Sequence, residues 1–396
     1  MPTGHFRHYL EHYLAPHPSQ EVRELFISTS ILDFAMALVM VFEPIYLYSQ
    51  KFSLEQILWF YFAVYALYFV FLPIGGRICR NHGYEHTILL SSPFLILYYL
   101  AFFAVSYNKL FIAAAVVFLV IQKVLYWPSY HSNFATWSDG REGGREISNM
   151  SALSGFVASL APVIGGLIAA TAGFRTLFAV AAVLILVSNI PMLRTPEIFI
   201  PKAFAYGAAV KRVFSKENRR TLLACFGFGE ELIALVLWPI FIASVVPDLL
   251  SLGAIVSLSM LANVLVTLYV GGLCDDGAKT PVLRSGTAFV TASWLTRLLV
   301  TGGLGVFLID SFYRVAKNMV GVPFAAILYD DARRGGVTET VVFFEMALSL
   351  GKMAACVAAI VIFRLVPGFW TGIFILAAVF ALAFSSLREG QKRVVT

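Results

Sequence analysis

The chain has 396 residues, 59% hydrophobic and 13% charged, with a mean hydropathy of +0.80 and a formal net charge of +6. A soluble domain carries about 25% charged residues, and here the apolar residues come in long runs rather than at helical or strand periods, which excludes a large soluble protein and assigns most of the chain to lipid. Four cysteines, Cys79, Cys225, Cys274 and Cys356, lack the spacing of a disulfide framework or a zinc site and read as small packing residues.

Residues 1 to 23 are polar, rich in His and Tyr, and lack the apolar core of a cleavable signal, so the first span itself is expected to direct insertion. Twelve segments are then long and apolar enough to cross a bilayer: 25–48, 54–76, 87–106, 110–137, 147–171, 176–193, 221–246, 250–274, 281–301, 304–329, 340–363 and 368–387. An even number of crossings puts both termini on one side. Twenty of the 29 Lys and Arg residues fall on that side and four on the other, so the positive-inside rule makes it cytoplasmic. The net positive charge is thereby a topology signal rather than a sign of nucleic-acid binding.

The longest connection, 194–220, carries seven basic residues and has a proline-rich start at Pro196 and Pro201. It separates an N-terminal bundle, 1–193, from a C-terminal one, 221–396. Its stretch 202–214 alternates apolar and basic character, as a short helix lying on anionic headgroups would.

The two parts echo each other. Glu43-Pro44-Ile45-Tyr46-Leu47 returns as Trp238-Pro239-Ile240-Phe241-Ile242, Gly75-Gly76 as Gly271-Gly272, Lys123 as Lys317, and the loop that opens at Asp139 and closes at Gly144 as the one from Asp331 to Gly336. The offsets are 195, 196, 194 and 192 residues. Echoes in one order at nearly one spacing imply two homologous halves in parallel, an arrangement many secondary transporters use.

Twelve spans in two parallel halves, with a glycine-led charged loop after the second span of each, resemble the major facilitator superfamily over essentially the whole chain. That family's loop signature has the form G-x-L-[A/G]-D-[R/K]-x-G-R-[K/R]. Here the stretch Gly76 to Glu85 keeps both glycines, Gly76 and Gly83, but has Arg80 at the acidic position and Tyr84-Glu85 for the basic pair. The second copy, from Gly271 to Lys279, keeps Asp275 and is one residue shorter. The resemblance implies an all-α integral membrane fold of two pseudo-symmetric six-helix bundles in the inner (plasma) membrane, acting as a monomer on a small-molecule substrate. It also implies that these loops latch the halves, with Asp139, Arg141, Asp331 and Arg333 in matching loops as gating candidates. Pro162, Gly165 and Gly166 are similar to the tail of the family's antiporter signature. The same residues also suit close helix packing.

A charge at the bilayer centre costs about 2.5 to 3.5 kcal/mol on insertion scales, so ionisable residues there normally face a cavity. Eleven fall within spans: Asp33, Glu43, Glu230, Glu231, Asp310, Glu345, Lys123, Arg297, Arg314, Lys317 and Lys352. Lys123, Lys317 and Lys352 lie mid-span and are expected to bind substrate, with Trp127 and Tyr130 beside them. Asp33, Glu230 and Glu231 lie on the mated first and seventh spans. Carboxylates there can exchange a proton near neutral pH and are the expected coupling sites. Snorkelling or helix-to-helix ion pairing is expected for Arg297, Asp310 and Glu345, and His131 ranks below the carboxylates for proton exchange.

The stretch Gly272 to Thr280 lacks the Gly-Lys step of a phosphate-binding loop, because Ala278 stands there. His5, His8 and His12 have no acidic or cysteine company, so no metal is expected. No nucleophile, base and acid line up, so neither enzyme activity nor a cofactor is expected. The leading expectation is a proton-coupled secondary transporter of a small organic solute, leaning to efflux through Asp33 or the Glu230/Glu231 pair. Uptake of an anionic solute on the three lysines stands beside it, as does a non-transporting sensor or scaffold.

Overall fold

The computed structural model describes residues 20–137, 143–193, 206–275, 279–366 and 368–388. Among them every regular element is helical, as lipid requires when it offers no partner for a free backbone N–H or C=O. In chain order the helices are α1 (Gln20–Met40), α2 (Phe42–Ser49), α3 (Leu54–His82), α4 (Tyr84–Val105), α5 (Phe111–Trp137), α6 (Gly143–Met192), α7 (Tyr206–Phe214), α8 (Arg219–Phe226), α9 (Phe228–Val245), α10 (Leu249–Asp275), α11 (Lys279–Thr296), α12 (Gly303–Gly335), α13 (Val337–Leu365) and α14 (Trp370–Leu382). A helix lies on every one of the twelve apolar segments.

Among the described residues, seven helical stretches are long and apolar enough to cross a membrane: Ile27–Ser49, Leu54–His82, Tyr84–Val105, Phe111–Asn133, Ser154–Met192, Lys216–Val245 and Val337–Leu365. Leu249–Val264 and Trp370–Ser386 are apolar but shorter. Helix α12 is long enough at 33 residues, yet Asp310, Arg314 and Lys317 lower its apolar character. Exposed Val70, Leu186, Leu308 and Val379 point outward, the surface expected of a body solvated by acyl chains.

Local chemistry sets the helix ends. Ser53 caps α3 reciprocally: its hydroxyl accepts the Gln56 N–H at 3.2 Å while the Gln56 side chain accepts the Ser53 N–H at 2.8 Å. Gly83, at φ 92°, closes α3 and opens α4. Gly173, at φ 82°, breaks α6 between the fifth and sixth apolar segments. Both conformations suit only glycine. Pro44 sits in the first turn of α2, where a missing N–H is harmless, whereas Pro239 lies inside α9.

The two halves of the chain meet along α6 with α10 and along α3 with α13. At the first crossing the backbones nearly touch. A Cβ on Gly166 would strike the carbonyl of Leu249, and one on Gly253 would strike that of Pro162. The Val163 N–H donates across the crossing to Ser257 Oγ at 2.9 Å. Gly165 packs in the same way on Leu38 of α1. The Pro162 to Gly166 stretch is thus a helix-crossing surface built from small residues.

Gly166→Val should lower the thermal unfolding midpoint of detergent-purified protein, because overpacking costs about 1 to 3 kcal/mol. Gly155→Ala, whose new methyl would meet Val264 at an ordinary 3.6 Å, should leave it unchanged or slightly higher.

Candidate functional site

Helical spacing gathers five of the eleven intramembrane charges, Lys123, Glu231, Lys317, Glu345 and Lys352, around one cavity. On α5, Lys123, Trp127 and His131 recur every four residues and so share a face. On α13, Glu345 and Lys352 are seven apart and do the same. Tyr65 and Tyr68 of α3, Glu231 of α9, and Lys317 and Tyr329 of α12 complete the polar wall, with Phe228, Phe324, Phe344 and Phe384 as apolar lining. The cavity encloses about 240 Å³, below the 300 to 1,000 Å³ usual for drug-sized ligands. It suits a small solute.

Four of the charges neutralise one another. Lys317 Nζ lies 2.8 Å from Glu230 Oε2 and 3.4 Å from Glu231 Oε2, and Lys352 Nζ lies 2.9 Å from Glu231 Oε1. The remaining oxygen of Glu230 accepts the Trp294 indole N–H at 2.9 Å, and Lys352 also reaches the Tyr65 hydroxyl at 3.3 Å. Glu230 is fully buried and depends on these contacts for its charge.

A second group joins the two halves. Glu345 Oε2 accepts the Tyr68 hydroxyl at 2.9 Å, and its Oε1 lies 3.3 Å from His131 Nε2. His131 Nδ1 is 2.7 Å from the Tyr329 hydroxyl. Tyr68 and His131 come from the first half, Glu345 and Tyr329 from the second.

Lys123 is placed differently. Its Nζ stands 5.4, 5.9 and 5.6 Å from the ring centres of Tyr65, Tyr68 and Trp127. Among the described residues no carboxylate comes within 4 Å of it. Cation–π contacts hold a charge by about 0.5 to 2 kcal/mol. They leave its hydrogen-bonding capacity unfilled.

Of the expected substrate residues, Lys123, Lys317, Lys352 and Trp127 line the cavity together, while Tyr130 does not and stacks instead on Tyr126 at 5.5 Å. Of the expected coupling carboxylates, Glu231 lines it, Glu230 sits behind it, and Asp33 lies apart, accepting from Ser154 at 3.1 Å between α1 and α6. Gly76 is buried in α3 and Arg80 lies half-buried in that helix's last turn. Asp331 lies near the end of α12 beside Asp330, which pairs with Lys279 at 2.6 Å. Asp139 and Arg141 lie outside the described residues, as do the side chains of Asp275 and Arg333. Gly271 belongs to a part of α10 described only as helix.

One expectation needs correction. Arg297 does not snorkel: it is fully buried, with its guanidinium 3.5, 4.0 and 4.5 Å from the rings of Trp294, Trp238 and Tyr313. Glu345 makes the expected helix-to-helix contact, with His131, and both also line the cavity, a place the sequence does not give them. The four-residue recurrence of Lys123, Trp127 and His131 was the available signal. Tyr68 carried none, since phenols abound in this chain.

Other polar contacts join the halves or tie the linker to the second half. Tyr84 meets Thr338 at 3.2 Å, and Arg212 of α7 donates to Thr340 at 2.6 Å. At the other end Arg364 binds Glu55 at 2.9 Å; exposed pairs of this kind contribute little.

A family model described as Major Facilitator Superfamily matches residues 25–229. No curated protein matches the chain.

Lys317→Met leaves Glu230 buried without its ammonium partner. Loss of one member of a buried pair costs about 3 to 5 kcal/mol, so the thermal midpoint should fall clearly. Adding Glu230→Leu should recover part of the loss in a double-mutant cycle.

Proposed function

Because the chain belongs to the major facilitator superfamily and is therefore a multi-pass membrane transporter, we propose that it carries a small organic anion, whose negative group pairs with Lys123. The observation that carries this is the contrast between the lysines. Lys317 and Lys352 already hold Glu230 and Glu231 at ion-pair distance, whereas Lys123 faces the cavity from a cage of three rings with no carboxylate within 4 Å among the described residues. Bringing an unpaired ammonium into a bilayer costs about 2.5 to 3.5 kcal/mol on insertion scales, which a scaffold has no reason to bear. A carboxylate or phosphate on the solute supplies the missing partner. A compact, strongly hydrated ammonium suits one anionic group better than a planar, bidentate clasp.

In this proposal the chain crosses the membrane twelve times, in two six-helix halves, 1–193 and 221–396, with both termini and the linker 194–220 cytoplasmic. Alternating access follows from rocking of the halves about the cavity. The close α6–α10 crossing supports such a hinge on one side. The proton is the coupling ion and moves with the solute, as uptake requires. Export through Asp33 draws on no feature of the cavity, since Asp33 does not line it. The protein works as a monomer in the cell's inner membrane, without a cofactor.

In proteoliposomes of purified protein, labelled lactate, succinate or inorganic phosphate should accumulate under an inward proton gradient. Lys123→Ala should cut that flux at least about tenfold, the equivalent of about 1.4 kcal/mol. Accumulation of lipophilic cations in place of anions, or full anion flux in Lys123→Ala, would contradict the proposal.

A further inference from the structure

Resting on that reading of Lys123, we infer that the coupling proton is carried by His131, held between Glu345 and Tyr329, and that Trp127 and Tyr68 tie it energetically to the anion site. The expected coupling carboxylates are poorly suited to the task. Glu230 and Glu231 are saturated by lysines, and Asp33 lies outside the cavity. His131 is differently provided for, with an acid on one ring nitrogen and a hydroxyl on the other.

That arrangement accepts either protonation state with no more than a rotation of the Tyr329 hydroxyl. With neutral imidazole, Nε2–H donates to Glu345 and the Tyr329 hydroxyl donates to bare Nδ1. When a proton arrives from water it binds Nδ1, the Tyr329 hydroxyl rotates to become the acceptor, and Nε2–H and Glu345 become an ion pair. Release reverses each step. Because His131 and Glu345 belong to different halves, loading the proton also strengthens a contact across the cavity.

The link to the anion runs through two shared side chains. Lys123 stands over the Trp127 ring, on which the His131 imidazole stacks at 5.3 Å and 22°. Lys123 also stands over the Tyr68 ring, whose hydroxyl holds Glu345. The other charged or titratable groups around the pair leave it as the variable element. Lys352 and Glu231 of the paired quartet balance each other, and the Cys225 thiol of α8 is buried. Arg212 of α7 donates to Thr340 and Tyr84 of α4 meets Thr338, toward the start of α13.

Lys123 and His131 are eight residues apart on one helix, about 12 Å along its axis. At an effective dielectric constant near 20 two unit charges at that separation alter each other's equilibrium by roughly tenfold. The repulsion opposes proton loading while Lys123 is bare. An anion on Lys123 removes it. Proton and anion therefore assist each other's binding by the same factor, as linkage demands, and one proton with one monoanion adds no net charge to the cavity.

The test is calorimetric titration of lactate, succinate and inorganic phosphate in turn into the purified full-length protein between about pH 5 and 8. Wild type and Asp33→Asn should bind the lactate anion roughly tenfold tighter at the acid end. His131→Gln and Glu345→Gln, two variants of conserved volume that guard against a folding artefact in either, should each reduce that ratio to less than about twofold. If both keep the wild-type pH dependence, or Asp33→Asn abolishes it, His131 is not the proton carrier, while the anion site stands. If Lys123→Ala binds as wild type does, the anion site itself is wrong.

Discussion

A charge inside a bilayer survives only where another charge, a hydrogen bond or water replaces its lost hydration, and the Glu230, Lys317, Glu231 and Lys352 quartet does so almost completely. Both oxygens of each glutamate face a lysine or an indole N–H, and the lysines share Glu231 between them. Three helices, α9, α12 and α13, are fixed to one another by this exchange. Around that floor the aromatic rings of Phe228 and Phe384 cover Lys317 at 5.4 and 4.6 Å. The quartet thereby adds no net charge to the C-terminal half's wall of the cavity, where Glu345 is the remaining carboxylate among the described residues.

The first half presents a different wall. Its own buried acid, Glu43, is satisfied inside the half by the hydroxyls of Tyr98 and Tyr99 at 2.9 and 2.8 Å. Asp310 plays a similar part in the second half, taking the Trp238 indole at 2.9 Å and Arg314 at 2.7 Å. The repeated proline segments thus carry anchors on each side, one through its glutamate and the other through its tryptophan. Among the described residues Lys123 is the cavity lysine with no carboxylate within 4 Å, and the rings that hold it reach onward to His131 and Glu345. In the proposed cycle a solute anion and a proton meet across those rings.

Much of this was legible in the sequence. Hydropathy located helix on every apolar segment, the mated positions pointed to Lys123 and Lys317, and the mid-span lysines converge on one cavity. Less legible was which lysine has a carboxylate. That depends on helix rotation: Glu231 lies next to Glu230 in the chain, yet the two turn toward different sets of lysines. His131 ranks below the carboxylates and Glu345 reads as an ion-pairing residue in the sequence because their meeting arises between halves, across 214 positions of sequence. Arg297 looked like a residue able to snorkel, but three aromatic side chains from α9, α11 and α12 enclose it, a convergence that no local pattern encodes. The small residues from Pro162 to Gly166 suited either a transport signature or a helix crossing, and their backbone contacts with α10 account for them as a crossing.

The most direct test of the central claim is the position of a bound anion, read by anomalous scattering from crystals of the protein grown with p-bromobenzoate. The bromine should appear in the cavity with the carboxylate at Lys123 Nζ and the Lys317 and Lys352 pairs intact. A carboxylate bound instead at Lys317 or Lys352, with Glu231 displaced, would contradict the account.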